Sequence, residues 1–393
     1  MDQLPRRHAI DSVTVVCYMA LACLGFLLDG LGPILPFLES DLRVGRAAVA
    51  LLPLLDAAGL VVVGLVGVRL FRSVGRRKAF WAALVAMLGG ALVLAVAQSI
   101  LVAEGGAAVM GFGAAFLILL VPPILSDRHG TLAAGAIAEA NAISSSAAVL
   151  APLCIAAAVA SGVGWRIGYV ALPVIVGAGL FAAAWRVPIV SDARSSTTTA
   201  HPAPHPDGSF VRRWLDIVLV VSVEFCFVVW STDYLRTRVG LGDAAAPAVA
   251  ALFLVGMTLG RALGGQSARR LADPRPVFRL ALAVALVGFV AFWSTREPLA
   301  TALGLLVAGS GVALLYPLSL VRTLAAARGT REGASARAAL ASGLAIGIAP
   351  FVLALLADRV GLQAAFLLVP FLLAAVAVND LVPARSGARL RQS

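Results

Sequence analysis

Lysine is all but missing from this chain: Lys78 is the only one, against 30 arginines. Ala79 follows it, so no phosphate-binding loop ending in Gly-Lys-Ser/Thr can form, and ATP hydrolysis by that route is excluded. No Gly-x-Ser-x-Gly nucleophile elbow is present either, and the chain does not read as an enzyme. Histidine is scarce. His8, His129, His201 and His205 all fall at the terminus or in predicted loops, so a proton relay would have to use carboxylates. His201 and His205 have a metal-like spacing, but their Ser/Thr/Pro-rich surroundings read as a solvated loop, and no metal site is expected. The four cysteines, Cys17, Cys23, Cys154 and Cys226, lie inside apolar runs and read as small packing residues, not a disulfide framework. Charged residues make up 13% of the chain, about half the ~25% of a soluble domain.

Apolar residues fill the space, at 61% of 393. A soluble fold this apolar could not cover its surface with polar groups, so a bilayer is the expected solvent. The net charge of +11 does not indicate nucleic acid. The arginines are scattered in small groups between apolar runs, which suits loops facing anionic headgroups, not a clustered basic face. The run from Val13 to Phe37 is too long for a secretory signal and reads as a first span.

Twelve apolar stretches emerge, at 13–37, 47–70, 79–101, 104–125, 132–160, 166–187, 214–236, 246–268, 277–295, 299–321, 336–356 and 362–382. Helix is forced on them, because lipid offers the backbone no hydrogen bonds. With the N-terminus inside, 23 Arg/Lys fall in inner segments and seven in outer ones, leaving Arg261 within a span. Both termini are therefore expected in the cytoplasm, with the chain in a bacterial inner membrane.

A Ser/Thr/Pro/His-rich connection divides the chain into residues 1–187, a linker at 188–213, and residues 214–393. The halves echo each other. "MGFGAAFLILL" matches "AGSGVALLYPL", pairing Gly111 and Gly113 with Gly309 and Gly311. "LAPLCIA" matches "IAPFVLA", pairing Pro152 with Pro350, and Pro173 pairs with Pro370; the offsets are 198, 198 and 197. The expected fold is an all-α polytopic membrane protein, with twelve transmembrane helices in two pseudo-symmetric six-helix bundles.

Over nearly its whole length the chain resembles the major facilitator superfamily. That family carries a loop of the form G-x-x-x-D-R-x-G-R-R between helices two and three. "VRLFRSVGRRK", from Val68 to Lys78, keeps Gly75, Arg76 and Arg77 but has Val68 and Arg72 in place of the Gly and Asp. The second-half copy, "RRLADPR", keeps Asp273 while Arg269 replaces the Gly. The resemblance implies a cytoplasmic gate at Arg72, Gly75, Arg76, Arg77 and Asp273, and a monomer. Alternatively the basic run only sets topology. "GPILPFL" keeps a proline pair, Pro33 and Pro36, like that of exporter helix one, and small Ala147 and Ala151 precede Pro152 where exporters place glycines.

Acidic residues inside spans are expensive, roughly 3 kcal/mol at mid-bilayer, and mark function by default. They are Asp29, Asp56, Glu139 and Glu224, with Asp233 near an outer end. Asp29 and Asp56 fall at similar depth and are candidates to share a proton; Glu224 and Arg261 are a candidate ion pair. Gly30 and Gly32 are expected to loosen helix one beyond Asp29. Phe227, Trp230 and Tyr234 are candidate contacts for an aromatic or cationic substrate. The reading is a proton-coupled secondary transporter that moves a small molecule and needs no cofactor beyond the proton gradient. Efflux antiport of amphiphilic, cationic or neutral compounds stands first. Uptake symport of a sugar or organic acid is the alternative, and a non-transporting sensor or scaffold is the third reading.

Overall fold

A computed structural model describes residues 10–184, 208–270, 275–326 and 331–381; the side chains of 64–74, 208–209, 265–270 and 331–336 fall outside that description. Among the described residues every regular element is a helix. We number the long helices α1 (Ser12–Leu42), α2 (Leu51–Val74), α3 (Arg76–Ala95), α4 (Ile100–His129), α5 (Ala133–Ala160) and α6 (Trp165–Ala184). The second set is α7 (Gly208–Tyr234), α8 (Ala245–Arg270), α9 (Arg275–Ser294), α10 (Pro298–Ala326), α11 (Arg331–Val360) and α12 (Leu368–Leu381). One-turn helices, Arg46–Val49 and Leu362–Ala365, lead into α2 and α12, and a π-helical turn, Leu235–Val239, extends α7.

Among the described residues, eleven helical stretches are long and apolar enough to cross a membrane. The longest, Ile100–Ala160, holds both α4 and α5, separated by a turn at Gly130–Leu132. Several helices overrun the apolar windows: α1 continues to Leu42 and α11 starts at Arg331. Polar ends continue a helix into the headgroup region, where a hydropathy window no longer sees it. Residues 188–207 of the expected linker lie outside the described residues, and 208–213 form the first turns of α7.

The two ends of the bundle are named here by the chain: the terminal end holds Ser12 and Leu381, and the distal end holds Leu42 and Tyr234. Asp11 caps α1, accepting from Thr14 N at 2.9 Å and Thr14 Oγ1 at 2.7 Å. Pro33 and Pro36 lie inside α1, yet the helix is continuous, so the loosened turn expected beyond Asp29 is not there. Gly30 and Gly32 serve packing instead. A Cβ on Gly30 would press the Tyr169 ring, and one on Gly32 would strike the backbone of Val228 and Val229 on α7.

The repeat in the sequence is a repeat of helix crossings. Gly111 lies against the α2 backbone at Asp56, and Gly113 against α3 at Ala83 and Met87. Their counterparts do the same in the second half: Gly309 lies against α8 at Phe253, and Gly311 against α9 at Ala281 and Ala285. Gly90 and Gly106 bring α3 onto α4; Gly288 and Gly304, again 198 residues on, bring α9 onto α10. Without a hydrophobic drive between helices in lipid, such close backbone approach is what holds a bundle together.

Candidate functional site

Burial along α1 and α7 locates the site. From Gly30 to Leu38 every α1 residue is buried, whereas Met19, Ala22, Leu28 and Asp29 are partly exposed. From Val220 to Leu235 every α7 residue is buried except Glu224. On α8, no residue from Ala246 to Met257 is exposed, but Thr258, Leu259 and Arg261–Leu263 are. The two halves are therefore packed together at the distal end and parted toward the terminal end. Asp29 and Glu224 stand where the opening stops.

At that floor Arg261 Nη2 lies 3.7 Å from Glu224 Oε1, and both side chains keep some exposure. Asp29, from the other half, lies within electrostatic reach of both. Tyr316 on α10 joins the group, near Glu224 and Arg261 and hydrogen-bonded to Ser342 on α11. Two acids and one base thus share a partly exposed niche built by α1, α7, α8, α10 and α11. When all three are ionised the niche carries one net negative charge, at a depth where such charge is costly and is kept only with a partner or water. Tyr316 and Ser342 carry no formal charge, so a search for intramembrane charges passes over them.

The remaining acids fall elsewhere. Asp56 does not share a neighbourhood with Asp29. It is 6% exposed, wedged against Gly111, with Tyr169 nearby, and among the described residues it makes no ion pair or hydrogen bond. Equal depth on two helices did not mean facing sides. Glu139 is exposed and accepts from Tyr18 at 3.2 Å, between α5 and α1 toward the terminal end. Asp233 is 2.7 Å from Arg46 Nε and belongs to the distal closure.

The aromatics of α7 are core, which corrects their expected role as substrate contacts in this conformation. Phe227 stacks on Phe253 and meets the edges of Phe289 and Phe292. Trp230 is fully buried, and its Nε1 donates to Pro350 O at 2.9 Å. Tyr234 is fully buried and donates to Trp293 O at 3.1 Å. All three rings are buried inside the second half, and Trp230 and Tyr234 spend their polar groups there, so none presents a free face to the opening.

The distal closure is made by contacts between the halves. Besides Arg46–Asp233, Asp358 accepts from Ala47 N at 3.2 Å, and the Arg236 guanidinium sits 4.8 Å above the Phe37 ring. Glu39 lies among Arg46, Asp233, Asp358 and Arg236. At the terminal end, by contrast, the pairs Arg128–Asp11, Arg213–Asp216 and Arg279–Asp380 each stay within one half. Asp11 is partly desolvated, but hydrogen bonds from Thr14 and Arg128 outweigh that and lower its pKa to about 2.

Of the expected gate, Asp273 and the Arg72 side chain lie outside the described residues. Gly75 has φ +86°, a left-handed value that suits glycine, and it starts α3. Arg76 Nη1 then reaches Asp127 Oδ2 at 2.6 Å on α4, beside an exposed Arg77.

Comparison with known proteins agrees with this architecture. A family model described as Major Facilitator Superfamily matches residues 17–328. Among solved structures, the chain is similar to a D-xylose-proton symporter, with TM-score 0.75, 14% identity, and coverage of 95% of this chain and 98% of that one. It is also similar to a bacterial homolog of the human lysosomal transporter Spinster in an inward-facing, unoccupied conformation, with TM-score 0.67, 15% identity, and coverage of 95% and 93%. The occupied form of that homolog aligns with TM-score 0.64 at 15% identity, over 94% and 90%. At such identities the likeness is one of fold. No curated protein matches the chain closely enough to count as a relative. The long apolar helices of the described residues, a repeat that reproduces its own crossings, and a family match over most of the length lead to one assignment: this multi-pass membrane protein belongs to the Major Facilitator Superfamily, a family of transporters and not of enzymes.

Proposed function

We propose that the protein is a proton-coupled efflux antiporter of small cationic, amphiphilic or neutral compounds, working by alternating access as a monomer in a bacterial inner membrane. Its termini face the cytoplasm, and the terminal end is the cytoplasmic mouth. The two six-helix halves, 1–187 and 214–393, would rock about the floor where Asp29, Glu224 and Arg261 meet. The observation that carries this reading is the joining of an acid from one half to an acid–base pair from the other where the opening ends. Protonating Asp29 removes the excess negative charge of the niche, and a cation entering it does the same. Competition between the two is what exchange requires. No cofactor is needed beyond the proton gradient. Arg261 favours a second reading, uptake symport, because a partly exposed guanidinium beside the opening could hold a carboxylate.

Proteoliposomes with an imposed pH gradient test the proposal. A fluorescent organic cation should be exchanged for protons by the wild type, and Asp29→Asn should lose proton-driven flux while remaining folded. Wild-type flux in that variant refutes the role of Asp29. Accumulation of an organic anion or sugar along the proton gradient favours symport.

A further inference from the structure

A second recess lies away from the opening. Trp214, Leu219 and Ser222 of α7, Leu344 and Ile348 of α11, and Leu372 of α12 are among the residues lining an almost wholly apolar trough of about 290 Å³. Ser222 stands two residues from Glu224, and Leu344 two from Ser342. Two residues turn a helix by roughly 200°, so on α7 the trough lies opposite the charged niche, while on α11 its residues Leu344, Ala345, Ile348 and Ala349 centre about a quarter-turn from Ser342. Ile348 is 48% exposed, and the face of α11 that meets α2 of the other half, at Gly343 and Gly347, points elsewhere, so the trough opens away from the seam between the halves.

At the terminal end of this trough the same three helix faces turn polar. Arg337 is seven residues from Leu344, Arg212 seven from Leu219, and Asn379 seven from Leu372. Seven residues are two turns, roughly 10 Å along one face. The three are drawn together: Trp214 Nε1 donates to Arg337 O at 2.7 Å, and Asn379 Nδ2 donates to Arg212 O at 2.9 Å. The charged groups of this mouth are Arg212, Arg213, Arg279, Arg322 and Arg337 against Asp216 and Asp380. Asp216 is paired by Arg213, and Asp380 by Arg279 and Arg322. Arg337 lies over the Phe210 ring at 5.5 Å and has no carboxylate partner among the described residues.

The geometry points to a binding site for one anionic phospholipid, with its headgroup phosphate at Arg337 and one acyl chain in the trough between α7, α11 and α12. A positive mouth two turns below an apolar slot matches that ligand in both charge and length, and the outward opening separates it from the transport route. A zwitterionic lipid would fill the slot without using the net positive charge of the mouth.

Native mass spectrometry of the purified full-length protein tests the site, with phosphatidylglycerol and phosphatidylcholine as probes. One phosphatidylglycerol should be retained in preference to phosphatidylcholine. Arg337→Gln should weaken that retention about fivefold, the value of one cation near an anionic surface. Ile348→Trp, which fills the trough and leaves every charge in place, should weaken it as well; this second variant decides the matter if the first does not fold. Equal retention of the two lipids, or unchanged phosphatidylglycerol retention in a folded Ile348→Trp protein, overturns the proposal. So does a dimer that Ile348→Trp converts to monomer without affecting lipid, since the trough would then be a protein interface.

Discussion

The two halves of this protein share a skeleton but not a charge pattern. At one offset, 198 residues, Gly90, Gly106, Gly111 and Gly113 have counterparts in Gly288, Gly304, Gly309 and Gly311, and each pair brings equivalent helices into backbone contact. Counting by the same offset, Asp29 falls on Phe227 and Glu224 on Phe26. Phe227 is the centre of an aromatic cluster, and Phe26 is 1% exposed. The symmetric positions hold the scaffold; the positions that break symmetry hold the niche. Packing in lipid needs small residues at fixed crossings, so both copies keep them. Charge in lipid is costly, and the acid–base group at the floor is the place where the two halves together give it a partner.

Substitutions at paired positions sharpen that contrast. The largest effect is expected from Gly111→Val and Gly309→Val. Each drives a side chain into a neighbouring backbone and should cost about 3 kcal/mol or more, by equal amounts, read as matched falls in melting temperature in detergent. A large fall in one and none in the other would show that the halves are not equivalent scaffolds. Next comes the distal closure. Asp233→Asn weakens the charge-assisted bond to Arg46, which costs about 2 kcal/mol, and should shift the population toward distal opening. A cysteine placed at Val228, against Gly32, should then react faster with a water-soluble maleimide. An unchanged rate would leave the closure to Asp358 and Arg236.

The smallest effect is expected at the terminal end. Asp11 has a folded pKa lowered to about 2 from an ordinary 3.8, so its stabilisation is fully present above about pH 4 and is lost as pH falls toward 2. Asp11→Ala should lower stability at neutral pH by about 1 kcal/mol, the usual cost of a lost helix cap, and flatten the acid limb of the melting curve between pH 4 and 2. An acid limb identical to wild type would place the acid sensitivity elsewhere.

Much of the scaffold was legible in the chain. Lipid demands long apolar runs and helical hydrogen bonding, so the spans announce themselves, and a duplicated bundle leaves its glycines and prolines at a constant offset. Depth alone brought Glu224 to the level of Arg261, and they stand 3.7 Å apart. Depth says nothing of azimuth, and there the expectations diverged from the structure: Asp29 meets the Glu224–Arg261 pair of the other half, not Asp56. The α7 aromatics misled for a related reason. From Phe225 to Leu235 only Ser231, Thr232 and Asp233 interrupt the apolar run, so no face is marked as inner or outer.

The sequence by itself determined the solvent, the helices, the two-fold repeat and the crossings that glycine permits, because each follows from local composition and fixed spacing. Only the tertiary structure decided which charges share a niche, which end is shut by Arg46–Asp233 and which aromatics are core. Those depend on how one half is rotated against the other, a quantity that no periodicity within a single helix encodes.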